Sequence, residues 1–137
     1  MKTILVTAAI IERDGRVLIA RRREGDHLAG KWEFPGGKVE PGETPEGCLA
    51  RELEEEFGVR TRVGEFVVSS VHDYGDKKIE LLAYRVEAPA PAAREASTGE
   101  WRLHAHDRIE WVTPEEMNGY DFAQADLPIV ARLQREP

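Results

Sequence analysis

Residues 37–59 read GKVEPGETPEGCLARELEEEFGV, a glycine- and proline-punctuated loop that runs straight into a short acidic helix. Thr44 is a good N-cap, Pro45 suits the first helical position, and Glu46 favours the positive end of the helix dipole. Gly58 supplies the stop. Between these signals Leu49, Leu53 and Phe57 recur every fourth residue, an apolar stripe suited to packing on a sheet. Glu52, Glu55 and Glu56 form a second stripe, centred roughly 100° from the first. The spacing predicts a helix that buries one side and turns its acids towards a cleft.

Carboxylates at i, i+3 and i+4 are neighbours on a helix and repel one another by a few tenths of a kcal/mol per pair. Most glutamate-rich helices are solvated faces; the flanking loop is what sets this one apart. Gly36-Gly37 lets the backbone approach an ion or a phosphate without a side chain in the way, and Gly42 permits the turn into Glu43. A hard divalent cation that takes oxygen ligands would relieve the repulsion. The segment therefore reads as a metal site built for phosphate chemistry.

Its full spacing is Gly, five residues, Glu, seven residues, then Arg-Glu-aliphatic-any-Glu-Glu-any-Gly-aliphatic. Gly37, Glu43, Arg51, Glu52, Leu53, Glu55, Glu56, Gly58 and Val59 fill every position. Seven fixed residue types coincide by chance about once in 10⁸ start sites. The pattern resembles the signature of the Nudix hydrolase family. The stretches VTAAIIERDGRVLIARR, GKWEFPGGKVEPGET and ADLPIVARL also look like those of its MutT-type members.

This resemblance implies one domain over residues 1–137, with the Nudix box at 37–59, folded as an α/β/α sandwich around a mixed sheet. It implies a pyrophosphohydrolase that cleaves a nucleoside triphosphate to monophosphate and pyrophosphate with Mg²⁺, which Mn²⁺ can replace. The metal would be held by Glu52, Glu55, Glu56 and the Gly37 carbonyl. Arg51 would orient the acids, and Glu52 is the preferred proton acceptor. MutT-type members have a further metal-binding glutamate downstream; here Ala105 aligns with it, which leaves His104, His106, Asp107, Glu110 or water to replace it.

Substrate contacts are implied in the same way. Arg22 matches a base-contacting arginine or belongs to a solvated strand end, Phe34 is either a stacking surface for a base or a core aromatic, and Lys38 is either a phosphate contact or a solvated lysine. Asp126 stands where the MutT type has asparagine. Asparagine both donates and accepts, whereas an ionised aspartate only accepts. An acceptor suits N1–H and N2–H₂ of guanine, or N4–H₂ of cytosine. The expected substrate is a damaged nucleotide such as 8-oxo-dGTP, with CTP or methylated dCTP as the alternative. A non-catalytic sensor would have eroded acids, and here every one is present.

The composition agrees. The balance of 19 Lys+Arg against 26 Asp+Glu, a net charge of −7, disfavours stable nucleic-acid binding. Cys48 is the only cysteine, so no internal disulfide forms, as suits a reducing cytoplasm. No apolar run is long enough to span a bilayer, and no signal-peptide pattern precedes the first strand. A cytoplasmic monomer or homodimer is expected.

The remaining elements are read more coarsely. Ile4–Ile11 is apolar on both alternating faces, as in a strand buried on two sides. Asp14-Gly15 marks a hairpin to a strand over Arg16–Arg22. Trp32–Phe34 is short and extended, and further strands are expected at Arg62–His72, Lys78–Glu87 and Ile109–Val112. Residues 88–99 read as a surface loop, Thr113–Glu116 as a capping box, and Leu127–Arg135 as a closing amphipathic helix.

Overall fold

The computed structural model describes residues 2–26, 28–88 and 103–136. β1 (Lys2–Arg13) is the strand on which both layers rest. Its alternation divides two cores: Ala8 and Ile10 pack with Ile129 and Leu133, while Ala9 and Ile11 pack with Leu49, Leu53 and Phe57. The two-sided apolar pattern of the sequence is thus a strand sandwiched between helices.

Asp14 and Gly15 both adopt positive φ (51° and 76°), the backbone that a two-residue hairpin requires. The chain returns as β2 (Arg16–Arg22), yet β2 stays on β1 only at Glu12–Val17 and Arg13–Arg16. It then pairs along its length with the antiparallel β7 (His106–Val112), and at Ala20–Arg21 with β3 (Trp32–Glu33). Further back along β1, Val6–Ala8 pair with the antiparallel β4 (Gly36–Lys38). β1 also runs parallel to β6 (Lys77–Glu87), and β5 (Arg62–Asp73) closes that edge antiparallel to β6. The result is a seven-stranded mixed sheet with α1 (Pro45–Phe57) on one face and α2 (Leu127–Arg135) on the other. This is the expected sandwich.

Helix α1 forms for the local reasons its sequence gives. Thr44 Oγ1 accepts from the Gly47 N–H at 3.0 Å, and Gly58 at φ 71° ends the helix in the left-handed region. Leu49, Leu53 and Phe57 are fully buried, each contributing about 1.5–3 kcal/mol of transfer free energy. α2 has the bounds read from the sequence. β1 and β7 are longer than their apolar runs because ladder pairing continues past them: Lys2 still meets Lys77, and His106 still meets Arg22.

The capping box at Thr113 closes as anticipated, with Glu116 N–H donating to Thr113 Oγ1 (3.3 Å) and Thr113 N–H to Glu116 Oε1 (2.8 Å). It opens only a 3₁₀ turn, Glu115–Gly119, because Tyr120 is already extended. The stretch from residue 89 to 99 lies outside the described residues. Among the described residues no helix is long and apolar enough to cross a membrane.

One stitch decides where the site forms. Trp32 N–H donates to the Asp121 carbonyl (2.8 Å), and Ala123 N–H to the Trp32 carbonyl (2.9 Å). Residues 121–123 are thereby laid beside β3, and the 3₁₀ turn Gln124–Asp126 delivers Asp126 to Phe34 before α2 begins.

Candidate active site

Two neighbouring features make up the site: the acidic face of α1 and a cavity beside it. On the helix, Arg51 is the hub. Its Nε and Nη2 donate to Glu43 Oε2 and Oε1 (2.6 and 2.9 Å), and its Nη1 donates to Glu52 Oε1 (2.9 Å) and Glu55 Oε1 (3.1 Å). The Glu43 carboxylate, which also accepts from the Glu40 N–H, is held down at about 2, mainly by its hydrogen bonds to Arg51. The orienting geometry expected of Arg51 is therefore present.

Glu52 and Glu56 stand side by side. Burial first, then the hydrogen bond to Glu52 and its charge, push the Glu56 carboxyl up to about 8. Gly37 lies against this pair: a Cβ there would collide with the Glu52 carboxylate, so only glycine leaves room for it. The Gly37 carbonyl already accepts from Thr7 Oγ1 (3.1 Å) and from Cys48 Sγ (3.6 Å).

The donors offered here are oxygen atoms, and the raised proton affinity of Glu56 marks negative charge that lacks compensation. Both suit a hard divalent cation. Among the described residues, however, no three acidic, histidine or cysteine side chains already converge as a metal shell. Glu55, with its side chain 61% exposed, rests on Arg51 and is able to rotate. The acids fit a cation by chemistry and charge, and Glu55 has the exposure to leave Arg51.

The cavity holds Arg22, Glu33, Phe34, Tyr74, Lys77 and Asp126, with Gly36 and Gly37 on the side of α1. Glu33 Oε1 accepts from Arg22 Nε at 3.1 Å and forms an ion pair with Nη2 at the same distance, and Arg22 also reaches Asp26 (3.2 Å). Asp126 Oδ2 accepts from the Phe34 N–H at 3.0 Å. Burial, reinforced by the charge of Glu33, raises the Asp126 carboxyl well above the usual carboxylate range. In its protonated form such a carboxyl donates as well as accepts, as the asparagine of the MutT type would do.

The other expected residues divide. Phe34 is 3% exposed and stacks on Phe122 (5.5 Å between centroids), so it is a core aromatic that also borders the cavity. The Lys38 side chain is exposed and outside the cavity lining; its carbonyl accepts from Cys48 Sγ (3.3 Å) and Arg51 Nη2 (3.4 Å). His104 is exposed, Asp107 is taken by Arg21 and Glu110 by Arg108, each at 2.8 Å. Only His106, of these four replacements, turns inward, to Glu33 and Glu56.

Sequence reasoning passed over Glu33, Tyr74 and Lys77 as cavity residues. Glu33 did leave a signal: a lone acid between the buried aromatics Trp32 and Phe34 on a two-residue strand.

Comparison with known proteins agrees with this architecture. A family model described as the NUDIX domain matches residues 6–132. The chain is 42% identical to the CTP pyrophosphohydrolase of Escherichia coli (strain K12), over 95% of this chain and 90% of that one. It is 33% identical to the 8-oxo-dGTP diphosphatase of the same organism, over 98% and 99%. The crystal structure of the MutT protein from Methanosarcina mazei Go1 superposes with a TM-score of 0.83 at 27% identity, covering 98% of this chain and 94% of that one. With the signature filled at every position and the fold in place, the chain belongs to the Nudix hydrolase family, whose members generally use divalent metal ions and whose named relatives here act on phosphoanhydride bonds.

Proposed function

We propose that this protein is a Mg²⁺-dependent pyrophosphohydrolase that converts a nucleoside triphosphate to its monophosphate and pyrophosphate. The observation that carries this reading is the juxtaposition of the acidic α1 face and a polar-ended cavity, which meet at Gly36–Gly37. A base held by Arg22, Glu33 and Asp126 leaves its phosphates to extend over the glycines towards Glu52 and Glu56. Mg²⁺ at the acids supplies charge neutralisation of the polyphosphate and acidification of water. Glu52, Glu55 and Glu56 are assigned as its ligands, and the Gly37 carbonyl joins them by exchanging its weak thiol contact.

Glu52 is assigned as the proton acceptor. Arg51 holds its Oε1, while Oε2 faces Gly37, on the side from which substrate approaches. Arg51 and Glu43 fix the carboxylates in place, so less reorganisation is needed when the water loses its proton.

The preferred nucleotide is an oxidised guanine such as 8-oxo-dGTP. Protonated Asp126 offers a donor and an acceptor, and Glu33 adds an acceptor for N–H groups of the purine. Removing such nucleotides from the free pool would protect DNA. A cytosine nucleotide is the second reading, favoured by Glu33 and Asp126 as partners for N4–H₂ and by the 42% identity to a CTP pyrophosphohydrolase. A panel of 8-oxo-dGTP, dGTP, CTP and 5-methyl-dCTP, scored for pyrophosphate and for orthophosphate, tests both. The largest kcat/KM selects the base. Orthophosphate alone, or no turnover with any of them, refutes the reaction.

A further inference from the structure

His106 contacts neither metal nor nucleotide in the reaction proposed, yet it stands between the two halves of the site. Its side chain is 1% exposed. Nε2 lies 2.8 Å from Glu33 Oε2, while Arg22 occupies the other oxygen of the same carboxylate. Nδ1 is buried without a hydrogen-bond partner and faces Glu56 Oε2 at 3.9 Å. The ring lies nearly parallel to Phe57, the last residue of α1, with centroids 5.4 Å apart and planes at 14°. It cannot pivot without unpacking that end of the helix. A buried ring nitrogen left unpaired calls for an explanation. Glu56 would close onto Nδ1 at hydrogen-bond length by shifting about 1 Å.

We propose that His106 is a positioning residue that braces both halves of the site: Nε2 sets the orientation of Glu33 in the cavity, and Nδ1 steadies Glu56 on α1. The proposal rests on the pyrophosphohydrolase reading. It makes the two arms separable, because each ring nitrogen addresses a different carboxylate.

His106→Gln places an amide near the position of Nε2 and abandons Nδ1; His106→Asn does the reverse. With His106→Asn, the ratio of kcat/KM between 8-oxo-dGTP and CTP should change about tenfold or more, while the Mg²⁺ concentration for half-maximal activity stays within about twofold. With His106→Gln, the half-maximal Mg²⁺ concentration should rise about tenfold while the base ratio is retained. Loss of kcat in both variants with neither quantity altered, or equal alteration of both quantities by either variant, overturns the proposal.

The unmodified protein supplies a second measurement should the variants fail to fold. Its His106 ring ¹⁵N resonances are followed during separate additions of Mg²⁺ alone and CMP alone. Nδ1 should respond to the ion and Nε2 to the nucleotide; two unresponsive nitrogens overturn the proposal. If the unmodified enzyme hydrolyses no triphosphate, the pyrophosphohydrolase reading fails instead, and the resonances still judge the two contacts of His106 by themselves.

Discussion

Arg51 grips Glu43 with a two-pronged fork, Nε 2.6 Å from one carboxylate oxygen and Nη2 2.9 Å from the other. The remaining terminal nitrogen is thereby aimed at Glu52 and Glu55. Lysine has one ammonium and no fork. Arg51→Lys should lower kcat by about 10–100-fold, the usual loss when a partner that orients catalytic ligands is removed, with a modest fall in the thermal midpoint as the fork on Glu43 is lost. Steady-state kinetics checks this; a kcat within twofold of the unmodified enzyme would mean that the fork orients nothing.

The same fork makes Glu43 a pH-dependent support. Its carboxyl titrates at about 2 in the folded chain against 4.5 as the reference for the unfolded one. A depressed carboxylate contributes stability above the unfolded value and loses it as pH falls towards the folded value. Glu43→Gln should therefore be less stable than the unmodified protein at neutral pH, and the gap should narrow between 4.5 and 2. Urea midpoints measured across that window test the sign.

Asp126 predicts the opposite slope. Its folded value lies above the reference of 3.8, so its favourable contribution is complete below 3.8 and declines as pH rises towards the folded value. Asp126→Asn keeps the shape and the hydrogen-bonding capacity without the slope. The variant should gain stability on the unmodified protein as pH rises above 3.8, and should still hydrolyse 8-oxo-dGTP. A pH-independent difference in thermal midpoint would show that Asp126 is not held protonated.

Glu55→Gln isolates the exposed acid. Its side chain is 61% exposed, so folding should be unaffected, while activity should fall by more than the ~10–100-fold that an outer partner costs. Near-normal turnover would remove Glu55 from the metal shell.

The two neighbouring glycines should fail differently. A Cβ at Gly36 strikes the Thr7 backbone, whereas one at Gly37 strikes only the end of the flexible Glu52 side chain. Gly36→Ala should unfold the β1–β4 pairing and lower the thermal midpoint. Gly37→Ala should leave the midpoint close to normal and abolish turnover by displacing the Glu52 carboxylate. Equal midpoints for the two variants would contradict this packing.

Much of this arrangement is legible in the sequence because it is local. Thr44, Pro45 and Gly58 bound α1, the fourfold spacing of Leu49, Leu53 and Phe57 chooses its buried side, and the acids fall into place by geometry. β1 and α2 are equally readable, from two-sided apolarity and from amphipathic spacing. The cavity is not local. Asp126 meets Phe34 across 92 residues, and His106 meets Glu33 across 73. No periodicity encodes such meetings. The raised proton affinity of Asp126 is further removed still, since it depends on burial that exists only in the folded chain. Lys38 sits within the motif with its side chain exposed, and its carbonyl accepts from Cys48 and Arg51.

The backbone stitch at Trp32 has a consequence for synthesis. Residues 121–126 supply both the clasp on β3 and the acid that closes the cavity, although the acidic helix ends at Phe57. A chain still growing on the ribosome therefore carries its acidic helix long before the cavity beside it has a wall. Closure of that cavity waits for residues 121–126 to emerge from the exit tunnel and settle beside β3.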